Sequence, residues 1–222
     1  MAAVTAARAP LRLGVLASGG GSNLQSLIDA CEGGRIPGVV AVVISNNSDA
    51  GALARARRHG IPAFHLSGKH YPDDEDLDRA IVRVLREHGV TLVLLAGYMK
   101  KRGPAFVAAF PRRILNIHPA LLPGPHGGPG RYGPAVHASV LAAGDAVTGV
   151  TIHIVDEHYD HGPVVARREV PVLPGDTVET LQRRVLEAEH RLYPAVVAAV
   201  ARGELDLDAV AASGGRLADV EE

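Results

Sequence analysis

The chain is expected to be an α/β protein. Its core should be an open, mostly parallel twisted sheet with helices on both faces, followed by an antiparallel addition in the C-terminal part. Three observations lead there. Short apolar runs alternate with amphipathic stretches from residue 11 to residue 118, the β-α-β-α order of a parallel sheet covered on both sides. A glycine-rich turn follows the first apolar run directly. After His118 the pattern changes to a Gly/Pro-rich loop and then two strand-like runs.

Taken in order, Leu11 to Ala17 reads as a buried strand, and Asn23 to Cys31 as a helix with Leu24, Leu27 and Ile28 on one face. Val39 to Ser45 is a second strand. Ala50 to His59 is a helix closed by Gly60. Ala63 to Leu66 is a short strand. Asp73 to His88 is amphipathic, with Leu77, Ile81, Val84 and Leu85 at helical spacing and Gly89 as its stop. Thr91 to Ala96 is almost continuously apolar, as in a strand buried on both faces. Ile114 to His118 is another strand.

Residues 119–134 are loop by their Gly and Pro content. Pro134 to Ala143 reads as helix. Thr148 to Val155 and Val164 to Val172 read as strands around a turn holding Asp160 and Gly162. Asp176 with Glu179 suggests a capping box before a helix that turns Val178, Leu181, Val185 and Leu192 inward and then meets Pro194. A single domain over residues 11–203 is expected, with residues 1–10 and 204–222 as peripheral tails.

Bulk properties narrow the function. Of 222 residues, 47% are hydrophobic and 21% charged, a globular composition. The net charge of −1 gives no global field toward nucleic acid or a membrane surface. One cysteine, Cys31, excludes an internal disulfide framework. With no signal-peptide core and no long apolar run, a cytoplasmic location is expected, without nucleic-acid or membrane partners. Six histidines fall between positions 118 and 161, but their spacing matches no standard zinc pattern, so no metal is expected.

Two places could carry chemistry. In Gly19-Gly20-Gly21-Ser22-Asn23, backbone N–H groups at a helix start suit an anion such as phosphate, although a plain tight turn capped by Ser22 explains the same residues. The run lacks the third glycine of a dinucleotide fingerprint and the Gly-Lys-Ser/Thr of a P-loop. Asn116 and His118 share a face at the end of a buried strand, where ligands bind in such sheets. An amide beside an imidazole suits acyl chemistry, while a hydrogen-bonded core pair is the plainer account. Asp160 is either a turn aspartate or the carboxylate partner of His118.

Taken together, Gly21-Ser22-Asn23-Leu24-Gln25, Leu95-Ala96-Gly97-Tyr98-Met99, the run Asn116-Ile117-His118-Pro119-Ala120-Leu121-Leu122-Pro123 and Asp160-His161-Gly162-Pro163 resemble the 10-formyltetrahydrofolate-dependent formyltransferases. Within that family they are most similar to the branch that formylates glycinamide ribonucleotide in purine synthesis. The similarity runs from about Leu11 to about Gly203. It implies a Rossmann-like fold and an enzyme that releases formylglycinamide ribonucleotide and tetrahydrofolate. It further implies that Gly21, Ser22 and Asn23 hold the phosphate and that Glu189 touches the ribose. Met99, Lys100, Lys101 and Arg102, with Asn116, would line the folate pocket. His118 would be the general acid, its pKa raised by Asp160, and Asn116 with His118 would hold the oxyanion of the tetrahedral intermediate.

The sequence departs from the family at three places. Lys100-Lys101-Arg102 stands where the family often has Arg-Ile-Leu. Acidic residues around Asp74 replace an arginine used for the folate tail, with Lys69 as a candidate substitute. The Gly124 to Tyr132 loop is longer than in the shorter members. Partners are then small molecules, and a homodimer is compatible with the sequence. Rival readings are another formyltransferase of this type, such as one acting on a sugar nucleotide, or a non-catalytic nucleotide- or folate-binding module.

Overall fold

The computed structural model describes residues 9–215. Seven strands, β1 (Leu11–Leu16), β2 (Gly38–Ser45), β3 (Ala63–His65), β4 (Leu92–Leu95), β5 (Ile114–His118), β6 (Val147–Ile154) and β7 (Val164–Pro171), form one sheet in the order β3-β2-β1-β4-β5-β6-β7. The first five strands pair in parallel, and β6 and β7 add antiparallel beyond β5. The strand order reverses between β1 and β4, which opens a crevice at their carboxyl ends.

Strand alternation divides the core. In β4, Leu92 and Leu94 enter the larger cluster on one face, and Val93 and Leu95 enter the smaller one on the other. The larger core is closed by α1 (Ser22–Glu32), α2 (Gly51–Arg58) and α6 (Val178–Arg202), and the smaller by α3 (Asp74–Glu87) and α4 (Pro104–Ala109). Both faces are therefore covered, which is why β4 is apolar without alternation. Helix α5 (Pro134–Ala143) follows the long loop, and α7 (Leu207–Ala212) follows α6.

Some local expectations are corrected. The capping box of α6 is Thr177 with Thr180, each side chain meeting the other's backbone N–H. Asp176 instead accepts from Leu173 N–H and from the Arg184 guanidinium. Val178 is only half-buried. Helix α6 continues through Pro194 to Arg202, because Tyr193, Val196 and Val197 are fully buried there and offset the one backbone bond that proline removes.

Helices α4 and α7 are too short to show periodicity in the sequence. The stretch after residue 203, expected to be a peripheral tail, packs Leu205, Leu207 and Val210 into the larger core, and Asp206 caps α7. Residues 1–8 and 216–222 of the two expected tails lie outside the described residues. Among the described residues, no helix is long and apolar enough to cross a membrane.

Candidate active site

The glycine-rich turn joins β1 to α1. Gly21 is the N-cap at φ 74°, a left-handed conformation that favours glycine, and an added Cβ would lie 2.8 Å from Ala52. Ser22, read from sequence as the cap, is instead the first helical residue, and no side chain caps α1. The N–H groups of the first helical turn thus have no intrahelical or side-chain acceptor, and Gly21, Ser22 and Asn23 line the cavity described below. Arg55 of α2 braces the turn, its Nε donating to the Gly20 carbonyl at 2.8 Å and its guanidinium to Gln25 Oε1 at 3.0 Å.

Asn23 and Glu189 meet across 166 residues of chain. Asn23 Nδ2 donates to Glu189 Oε2 at 2.7 Å, and Asn23 Oδ1, although buried, has no partner. Burial pushes the Glu189 carboxyl up to about 7, against the pull of the Asn23 amide.

Asn116 and His118 leave β5 on one face, opposite Leu115 and Ile117, which enter the larger core. Asp160 arrives from the β6–β7 loop at φ 50°, a region aspartate tolerates better than most residues. Its Oδ2 lies 3.6 Å from His118 Nδ1 and accepts the Gly128 N–H at 2.8 Å. Its Oδ1 lies 3.5 Å from both Asn116 Nδ2 and His153 Nε2. Gly162 lets the loop turn back against β6, since a Cβ there would run into the Ile154 carbonyl.

The electrostatics refine the sequence reading. Burial pulls the His118 imidazole below its ordinary value, and the Asp160 charge and the His126 carbonyl only partly offset it. Burial alone would raise the Asp160 carboxyl, but the His153 hydrogen bond, the His118 charge and the Gly128 N–H together hold it below the usual carboxylate range. His137 is nearly inaccessible, and burial, with the His118 charge, pushes it down to about 4.

Met99 to Arg102 follow β4. The Met99 N–H donates to Ser18 Oγ at 2.8 Å, which ties this segment to the end of β1. Arg102 turns its guanidinium to Asp78 at 3.0 Å in a buried pair, stacked 5.8 Å from the Tyr98 ring. It anchors the segment rather than offering a free charge. Lys101 Nζ lies 5.4 Å from the Tyr159 ring. Neither Lys69 nor Asp74 lines the cavity described next.

Most of these groups open on one cavity of about 380 Å³. Gly21, Ser22, Asn23, Met99, Lys100, Lys101, Arg102, Asn116, His118, Asp160 and Glu189 all line it. Arg55, Arg131, His137 and His153 also line it, and the sequence reading gave them no role. His153 could have been found only by knowing the antiparallel register that sets it beside Asn116. Asp156, His158 and His161 are the one group of three metal-compatible donors among the described residues, on the exposed rim of this loop.

The crevice at the strand-order reversal gathers an amide, an imidazole and a carboxylate beside a turn of uncapped backbone N–H groups, an arrangement suited to group transfer, and residues 11–197 match the model for the formyl transferase family; the chain belongs to that family. Its relatives are more particular. It is 46% identical to the chloroplastic phosphoribosylglycinamide formyltransferase of Arabidopsis thaliana over 190 residues, 85% of this chain and 65% of that one. It is 40% identical to the phosphoribosylglycinamide formyltransferase of Escherichia coli, over 87% of this chain and 88% of that one.

Among solved structures, glycinamide ribonucleotide transformylase 1 from Symbiobacterium toebii matches with a TM-score of 0.82 and 47% identity, covering 87% of this chain and 89% of that one. A formyltetrahydrofolate deformylase from Pseudomonas syringae shares the fold, with a TM-score of 0.77 at 24% identity.

Proposed function

We propose that this chain is a cytoplasmic enzyme that moves the formyl group of 10-formyltetrahydrofolate to the amine of glycinamide ribonucleotide. The observation that carries the reading is the opening of the Gly21 turn and the Asn116–His118–Asp160 cluster on a single cavity. Relatives bearing the name of this activity support it.

The N–H groups at the start of α1 hold the phosphate, with Arg55 supplying positive charge beside them. Asn23 and Glu189 take the ribose hydroxyls, and the unpartnered Asn23 Oδ1 has capacity for one of them. The segment Met99 to Arg102 forms the wall for the folate. Lys100 and Lys101 are its free cations, since Arg102 is held by Asp78.

In the transfer, the amine nitrogen bonds to the formyl carbon and the bond from that carbon to the departing nitrogen breaks. The amine loses one proton and the departing nitrogen gains one. Asn116 donates to the oxygen on which negative charge develops. His118, neutral before reaction because burial lowers it, takes the amine's proton and passes one to the departing nitrogen. Asp160 stabilises the imidazolium while it exists. Protein groups suffice for each step, so the reaction is written without a metal.

The reading is tested by following tetrahydrofolate release with glycinamide ribonucleotide, amino-sugar nucleotides, or water as acceptor. Turnover with the ribonucleotide alone, unchanged after EDTA, is expected. Turnover with an amino-sugar nucleotide instead would assign the enzyme elsewhere in the family, and binding of both ligands without turnover would make it a binding module.

A further inference from the structure

The loop from Pro119 to Gly133 does more than border the cavity. Its start is pinned to β6, where Thr151 Oγ1 donates to the Ala120 carbonyl at 2.7 Å and accepts the Leu122 N–H at 2.9 Å. Its middle is clasped at His126, a nearly buried residue. The His126 ring lies between two polar groups, Nδ1 2.6 Å from Ser139 Oγ on α5 and Nε2 2.6 Å from Asp145 Oδ2 just past α5. The backbone of this same residue reaches the reaction centre, because His118 Nε2 sits 2.9 Å from the His126 carbonyl.

A carbonyl only accepts, so His118 Nε2 must carry a hydrogen. In the neutral ring Nδ1 is then bare, facing Asp160 Oδ2 at 3.6 Å. We propose that Asp145 and Ser139 are positioning residues: by gripping the His126 ring they hold its carbonyl on His118 Nε2 and confine the proton that moves to Nδ1. This rests on the reading of His118 as the proton carrier. It also gives the long loop a task, because a carbonyl on a loosely held loop could not fix one tautomer of a buried imidazole.

The other groups facing His118 do not supply this bond. Asp160 from the β6–β7 loop lies on the Nδ1 side, and the rings of His126, of His153 on β6 and of His137 on α5 act on His118 only through charge.

The test uses the full chain with Asp145→Ala and, as a smaller change, Ser139→Ala, each checked for folding by circular dichroism. Imidazole ¹⁵N shifts read the His118 tautomer without reference to catalysis. The Nε2–H form is expected to dominate in the parent and to become mixed in the variants. In kinetics, kcat is expected to fall about five- to tenfold, the worth of one hydrogen bond, with both KM values within about twofold.

The acid limb of kcat/KM is expected to move to lower pH, since a bond favouring the imidazolium has been lost. An unchanged tautomer in a folded variant overturns the clamp. A mixed tautomer with unchanged kcat and pH profile overturns its role in positioning. A parent enzyme that fails to turn over glycinamide ribonucleotide would instead sink the assigned reaction, and the tautomer measurement would stand apart from it.

Discussion

The two ends of the cavity are built on different plans. At the β1–α1 end the proposed phosphate site is made of backbone N–H groups, set by a left-handed Gly21 and by close packing of α1 on α2, with Asn23, Glu189 and Arg55 beside them. At the β5–β6 end the groups are side chains of β5 and of the β6–β7 loop, oriented by hydrogen bonds to one another and to the backbone of the loop after β5. At the first end the one raised acid, Glu189, is tied to Asn23 and is assigned to binding. The second holds the proposed proton carrier, His118, and its precision depends on loops that many separate contacts must hold. Substitutions should therefore separate cleanly, with binding and stability lost at one end and rate at the other.

The largest expected effect is at the loop-built end. His118→Ala is expected to lower kcat by about 10²- to 10⁴-fold, as for loss of a positioned acid–base group, with KM for the ribonucleotide little changed. A steady-state assay checks this, and a KM effect without a kcat effect would erase the contrast between the two ends.

Next is Gly21→Ala. A left-handed alanine and a Cβ against Ala52 should together cost about 2–4 kcal/mol, read by urea denaturation. A variant as stable as the parent would mean that the turn is not held as described.

Glu189 sharpens the comparison through pH. Its folded carboxyl is raised from 4.5 to about 7, so the unfolded chain ionises first. The stability it contributes is full below about pH 4 and is lost as pH rises toward 7, by on the order of 3 kcal/mol in all. Glu189→Gln should abolish that decline between pH 4.5 and 7, seen as a flatter curve of unfolding free energy against pH. Parallel curves for parent and variant would contradict the assignment. The smallest effect is expected for Ser22→Ala, a rise in KM for the ribonucleotide of about two- to fivefold, the worth of a single neutral hydrogen bond, with kcat unchanged.

Much of this was legible in the sequence, and what was not has a physical cause. The parallel half could be read strand by strand because burial on both faces writes itself as unbroken apolar runs, as at Leu92–Leu95. The expected residues of the turn and the reaction centre share one cavity because strand ends and glycine turns are local features.

In the sequence His153 and His126 stand out only as members of a histidine-rich run weighed for metal, because their place beside His118 depends on antiparallel register and on a backbone carbonyl, which no residue pattern records. The net direction of the His118 shift also escaped, since an aspartate partner shows in the sequence and depth of burial does not. Arg102 lines the cavity, but its charge is committed to Asp78, a residue 24 positions away on α3, a pairing that the sequence does not display.

The central claim is that the carboxylate of Asp160 serves the transfer step and not the binding of either substrate. Single-turnover kinetics of Asp160→Asn, with both substrates saturating and their dissociation constants measured in parallel, tests it most directly. The account requires near-parental affinities with formyl transfer slowed by about 10²-fold or more. Transfer at the parental rate, or weakened binding that accounts for the whole loss, would contradict it.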